Sequence, residues 1–100
     1  MTLDDIDAQE KAQTLARDKA KHEARLERDD ITWLMSGKRG RRIVKRLLVA
    51  SGVWRLSFNT NAMTTAFNEG MRNQGLTLTA QLMNVCPAQY AEMITENQDD

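Results

Sequence analysis

Between Leu3 and Arg28 the chain carries no glycine and no proline, and most of its residues are Ala, Lys, Arg, Glu, Asp or Gln. Such a composition favours one helix over any other local structure. Its large apolar side chains are only Leu3, Ile6, Leu15 and Leu26, with scattered alanines between them. A helix polar almost all round has no stripe with which to enter the core of its own domain. Residues 1–28 are therefore expected to form a charged helical arm that docks on another subunit, a solvated and partly frayed arm being the other reading. Any core has to come from residues 29–97, and residues 98–100 extend the chain as an acidic tail.

Within that remainder, Asp29 and Asp30 read as an N-cap pair for a short helix, "ITWLMS", that sends Ile31, Trp33, Leu34 and Met35 inward. Gly37 stops it, and the next helix runs from Lys38 or Gly40 to Ser51, with Gly52 as its C-terminal stop. Its apolar face is Ile43, Val44, Leu47, Leu48 and Ala50. "VWRLSFNTN" lacks helix signals and reads as a loop, with Val53, Trp54, Leu56 and Phe58 anchored on the core. Asn59 or Asn61 caps a helix to about Asn73 that buries Met63, Ala66, Phe67 and Met71 and ends at Gly75. "LTLTAQLMNV" alternates as a strand would, but Leu78, Leu82 and Val85 also suit a helix, and the lack of a partner strand decides for helix. Pro87 opens a last helix with Tyr90, Met93 and Ile94 inward. The expected fold is all-α: a long N-terminal helical arm plus a compact bundle of four to five short helices. A core this small gains from a partner, so self-association is the default expectation.

Charge is segregated. Residues 1–30 hold nine acids and six bases (net −3), residues 38–55 seven bases and no acid (net +7), and residues 56–100 five acids and one base (net −4). Six of the bases, Lys38, Arg39, Arg41, Arg42, Lys45 and Arg46, fall within "KRGRRIVKR". Arg41 and Lys45, like Arg42 and Arg46, are i,i+4 pairs of like charge, which repel unless something acidic answers them. These six residues are the candidates for binding a partner protein or nucleic acid. An acidic surface is favoured over specific DNA recognition, because the chain is neutral overall and its few aromatics look buried. Arginine's planar fork suits a carboxylate, so Arg41 or Arg42 is expected to pair with Glu69, Glu92, Glu96 or an acidic residue of a partner. Glu69, Gly70, Arg72 and Asn73, in "FNEGMRNQG", are interface candidates, although a tight helix crossing would explain Gly70 equally well.

Several functions are expected to be absent. No run of about 18 apolar residues offers a membrane span, and "MTLDDIDAQE" does not resemble a signal peptide. The lone Cys86 permits neither an internal disulfide nor a cysteine-based zinc site and reads as a buried, inert thiol. The only histidine, His22, lies between Lys21 and Glu23 in the arm, and "GKRG" lacks the upstream glycine and strand of a phosphate-binding loop. With no catalytic constellation, cofactor site or metal-ligand cluster in the sequence, an enzyme is not expected.

The blocks "DDITWLMSGKRGRRIVKRLL", "EGMRNQGLTL" and "CPAQYAEMITEN", over about residues 29–96, resemble a family of small proteins of tailed bacteriophages and prophages first named from a Bordetella phage. The shared pattern is D-x-x-W-L-M, G-R-R-x-V-x-R-L-L, E-G-x-R-N-x-G and P-x-x-Y-x-x-M, which maps onto Gly40, Arg41, Arg42 and Arg46 and onto Glu69, Gly70, Arg72, Asn73 and Gly75. The resemblance implies a virion structural or assembly protein, encoded among head and portal genes and carrying no cofactor. Expected partners are portal or internal core proteins and further copies of the chain, and the expected location is the virion, with the host cytoplasm during assembly. Release on genome ejection is compatible with a small helical unit. The alternative is a nucleic-acid-binding accessory protein that touches packaged DNA through helix 38–46.

Overall fold

The computed structural model describes residues 2–96. Four helices form: α1 (Leu3–Ser36), α2 (Lys38–Ser51), α3 (Ala62–Val85) and α4 (Pro87–Thr95), and no strand occurs among the described residues. The protein is all-α, with a long first helix followed by shorter ones. It divides into two compact units, Met1–Asp30 and Ile31–Asp100. The expected acidic tail, 98–100, lies outside the described residues.

The first unit is the larger part of α1. Thr2 and Asp5 close its N-terminus reciprocally: each backbone N–H donates to the other's side-chain oxygen, at 3.3 Å in both cases. This capping box satisfies two of the four N–H groups that a helix start leaves open. Every described residue up to Asp30 is exposed. Asp29 and Asp30 do not start a new helix, contrary to the sequence expectation. Neither residue is a breaker, each costs only a few tenths of a kcal/mol against alanine, and the hydrogen-bond ladder continues through them.

The second unit begins with the last turns of α1. Met35 is fully buried and Ile31 and Leu34 are half-buried, but Trp33 is exposed, which corrects its expected place in the core. At about 100° per residue, Ile31, Leu34 and Met35 share one side and position 33 falls opposite. Gly37, in extended conformation, separates α1 from α2. The turn is tight enough that a Cβ on Gly40 would sit 1.8 Å from the Leu34 carbonyl oxygen. Only glycine fits there.

Helix α2 crosses both α3 and α4, which also touch each other. Its buried seam is Arg41, Val44 and Leu48, spaced i, i+3, i+7. Ile43, Leu47 and Ala50, expected on the buried face, lie outside it because they are turned roughly 90–150° from that seam. The helix ends at Gly52 in the left-handed region (φ 83°), with its N–H on the Val49 carbonyl at 3.1 Å. The loop that follows keeps Val53 against the core but leaves Trp54, Leu56 and Phe58 exposed, a further correction.

Asn61 caps α3, its side chain accepting the Thr64 N–H at 3.1 Å. The helix then runs 24 residues, through both Gly70 and Gly75, where two helices were expected. Thr77 and Thr79 donate their hydroxyls to the carbonyls of Asn73 and Gly75. Bonding of this kind to the residue four back lets threonine sit inside a helix. Gly75 is buried against α2: a Cβ would lie 2.1 Å from Ser51 Oγ and 2.4 Å from Val53 Cγ1. It is a crossing point, not a stop. Leu82 is fully buried with Leu78 and Val85 half-buried, whereas Met63, Ala66, Phe67 and Met71 are exposed, contrary to their expected place in the core. Cys86 joins α3 to α4 and is buried; burial pushes its thiol pKa up. Pro87 starts α4, Met93 completes the core with Tyr90 packed against it, and Ile94, expected inward, is exposed.

Candidate interaction surface

Six clustered bases on one helix repel one another, and the fold answers two of them internally. The Arg41 side chain is buried, 8% exposed, in the seam of α2. Its Nε donates to Glu96 Oε1, its Nη2 pairs with Glu92 Oε1 at 3.4 Å, and its Nη1 donates to the Met35 carbonyl at 3.0 Å. One guanidinium therefore ties the last turn of α1 to the C-terminal end of α4. The hydrogen bond to Glu96 raises the Arg41 pKa further, against the opposing effect of burial. Lys45, one turn on, donates its ammonium to the carbonyls of Ile94 (3.4 Å) and Glu96 (3.1 Å). A cation on the open carbonyls at a helix C-terminus also complements the helix dipole. Arg41 thus meets two of the carboxylates expected for it, Glu92 and Glu96, and with Lys45 it is a structural group facing α4.

The remaining bases point the other way. Arg39 and Arg46 are exposed and Arg42 is half-buried. Among the described residues none of these three has a hydrogen-bond or ion-pair partner. At i, i+3 and i+7 they form one stripe along α2. Ile43 and Leu47 lie beside that stripe, exposed. Lys38 is exposed at the first turn of α2. A groove of about 330 Å³ adjoins the stripe, lined by Trp33, Leu34, Ser36, Arg39, Gly40 and Ile43. Its lining is mostly apolar, with Ser36 and Arg39 as the polar members.

The second sequence block is dispersed. Glu69 and Arg72 are half-buried, Asn73 is exposed, and Gly70 is exposed with open space where a Cβ would stand. The close crossing considered for Gly70 occurs at Gly75 instead. Sequence reasoning missed the apolar surface itself: Leu56, Met63, Phe58 and Trp33 are 94%, 83%, 79% and 77% exposed. The available signal was the excess of large apolar residues over the positions that three short helices can bury.

Among the described residues, no helix is long and apolar enough to cross a membrane, and no three His, Cys, Asp or Glu side chains are grouped to hold a metal. A family model described as Bbp19-like phage protein matches residues 31–95, nearly the span of the second unit. No curated protein and no solved structure gives a match.

Proposed function

The chain belongs to the Bbp19-like phage protein family, and on that premise we propose that it is a non-catalytic structural or assembly protein of the phage particle. It is present in several copies and associated with the portal or the internal core. The observation that carries this reading is the exposed apolar surface. A chain of 11.4 kDa that leaves Trp33, Leu56, Phe58, Met63 and Phe67 uncovered is built to be covered by other protein. The charged, fully exposed helix of residues 2–30 supports the same reading, since a segment without core contacts gains its order from a neighbour. A core of six buried apolar residues among the described ones is also compatible with unfolding for passage through a channel during ejection.

Mass spectrometry of gradient-purified particles tests the proposal. The protein should copurify with head components at a fixed ratio; its presence in infected-cell cytosol alone would sink the reading. A second reading, contact with packaged DNA, draws on the stripe Arg39, Arg42 and Arg46, which has no partner among the described residues. It requires a gel shift at low salt that collapses as salt rises, through release of counterions from the phosphates.

A further inference from the structure

We propose that the Arg39–Arg42–Arg46 stripe and its adjoining groove receive the acidic N-terminal turns of α1, residues 2–10, from a second copy of this chain. The proposal rests on the multi-copy reading above and names the surfaces that would hold the copies together. Residues 2–10 carry four acids, Asp4, Asp5, Asp7 and Glu10, and no base. Leu3, Ile6, Asp7 and Glu10 are spaced i, i+3, i+4 and i+7, so two apolar and two acidic side chains share one helix face. On α2, Arg39, Arg42, Ile43 and Arg46 share a face by the same spacing. One face presents acid beside aliphatic and the other base beside aliphatic, and the Trp33–Ile43 groove has room for an aliphatic side chain such as Ile6.

Both surfaces are open. Every described residue of 2–10 is exposed, and the ion pair of Asp7 with Lys11, at 3.5 Å, is a solvated i,i+4 contact that exchanges readily. The end of the helix is nevertheless built, closed by the Thr2–Asp5 box, so little order remains to be imposed on docking. The charges are also complementary. Arg41 and Lys45 are satisfied inside the second unit, which leaves Arg39, Arg42 and Arg46 on α2 without a partner among the described residues, against four acids and no base in residues 2–10. The net charge of the whole chain is zero, so copies approach one another without overall repulsion.

Sedimentation of the full chain, with far-ultraviolet circular dichroism as the check on folding, tests this by charge exchange. One variant carries Arg39→Glu, Arg42→Glu and Arg46→Glu; the other carries Asp4→Lys, Asp7→Lys and Glu10→Lys. Wild type should associate at low salt and dissociate as salt screens the exposed pairs. Each variant alone should associate at least about tenfold more weakly. An equimolar mixture should recover association, because each variant's arm then faces an α2 of opposite sign. A monomeric wild type, undiminished association of both variants, or a mixture that stays dissociated would each overturn the proposal. So would a DNA gel shift abolished by the arginine variant while its self-association is unchanged. Absence of the protein from particles would remove the virion reading and leave this result standing, so the two failures are distinguishable.

Discussion

Arg41 carries more of this structure than any other single side chain, and its chemistry explains why lysine cannot replace it. Its fork reaches Glu96, Glu92 and the Met35 carbonyl in three directions at once, whereas an ammonium is a point charge on a flexible stem. The Glu92 side chain is 55% exposed and adds little, so most of the stabilisation lies in the Glu96 and Met35 contacts. Arg41→Ala strands a mostly buried carboxylate and a helix-terminal carbonyl. It is expected to cost about 2–4 kcal/mol, with Arg41→Lys falling between the variant and wild type. Urea unfolding measures both, and a loss below about 0.5 kcal/mol for Arg41→Ala would show that the contacts contribute nothing net. Cys86 is the residue whose titration reports on burial. Its folded pKa is raised, so on raising the pH the unfolded thiol ionises first. The corresponding stability is intact below the unfolded value, about pH 8.5, and is lost as pH climbs through the higher folded value. Cys86→Ala should therefore flatten part of the alkaline decline in stability. Identical declines in both proteins would mean that the native thiol ionises as freely as the unfolded one.

Among the elements, α3 separates two glycines that look alike in sequence. At Gly70 a Cβ meets nothing, so Gly70→Ala should stabilise the isolated chain by about 0.5–1 kcal/mol through helix propensity and the unfolded state. At Gly75 a Cβ overlaps Ser51 and Val53 of the crossing chain, and overpacking of about 1–3 kcal/mol outweighs the same propensity gain. Thermal melts of the two variants should move in opposite directions; shifts of the same sign would refute the crossing geometry. This pair also indicates what was legible in advance. Composition and local signals revealed the long charged helix, the Gly52 stop, a cap at Asn59 or Asn61 and the Pro87 start, because each is a local preference acting on its own neighbours. The continuity of α1 through Asp29–Asp30 and of α3 through Gly70–Gly75 was not legible, because weak breakers yield wherever packing or an unbroken ladder favours helix. Burial was harder still. Hydrophobicity alone puts Trp33 and Phe67 in the core, but which side of a helix faces inward is set by non-local crossings that periodicity over so few turns does not resolve. At the candidate surface the basic cluster was plain in the sequence, and so was its need for carboxylates. Its division into inward Arg41 and Lys45 and outward Arg39, Arg42 and Arg46 follows only once α4 brings Glu92 and Glu96 to one side of α2.

At the scale of the whole molecule, the two units hold their structure by different means, and that difference is measurable. The unit from Ile31 onward has a core of Met35, Val44, Leu48, Leu82, Cys86 and Met93 and the Arg41 staple, so its central amides open only by cooperative unfolding. The unit from Met1 to Asp30 has one helical ladder and no buried side chain among its described residues. A lone helix of that length is marginal in water even when its composition is good, and its hydrogen bonds open by fraying, without crossing the barrier of a packed core. Hydrogen exchange on the dilute, high-salt monomer should therefore show residues 3–30 exchanging orders of magnitude faster than Val44, Leu48 and Leu82, with the Thr2–Asp5 box slowing only the first turn. Raising protein concentration at low salt should then slow exchange in the arm first. Protection should appear over residues 3–10 and, in step with it, along the outward face of α2. The core amides should stay as they were, since their protection is already that of global unfolding. Equal protection of the arm and the core in the dilute monomer would show that the arm is stabilised within its own chain. In that case the acidic turns would have no need of a second copy.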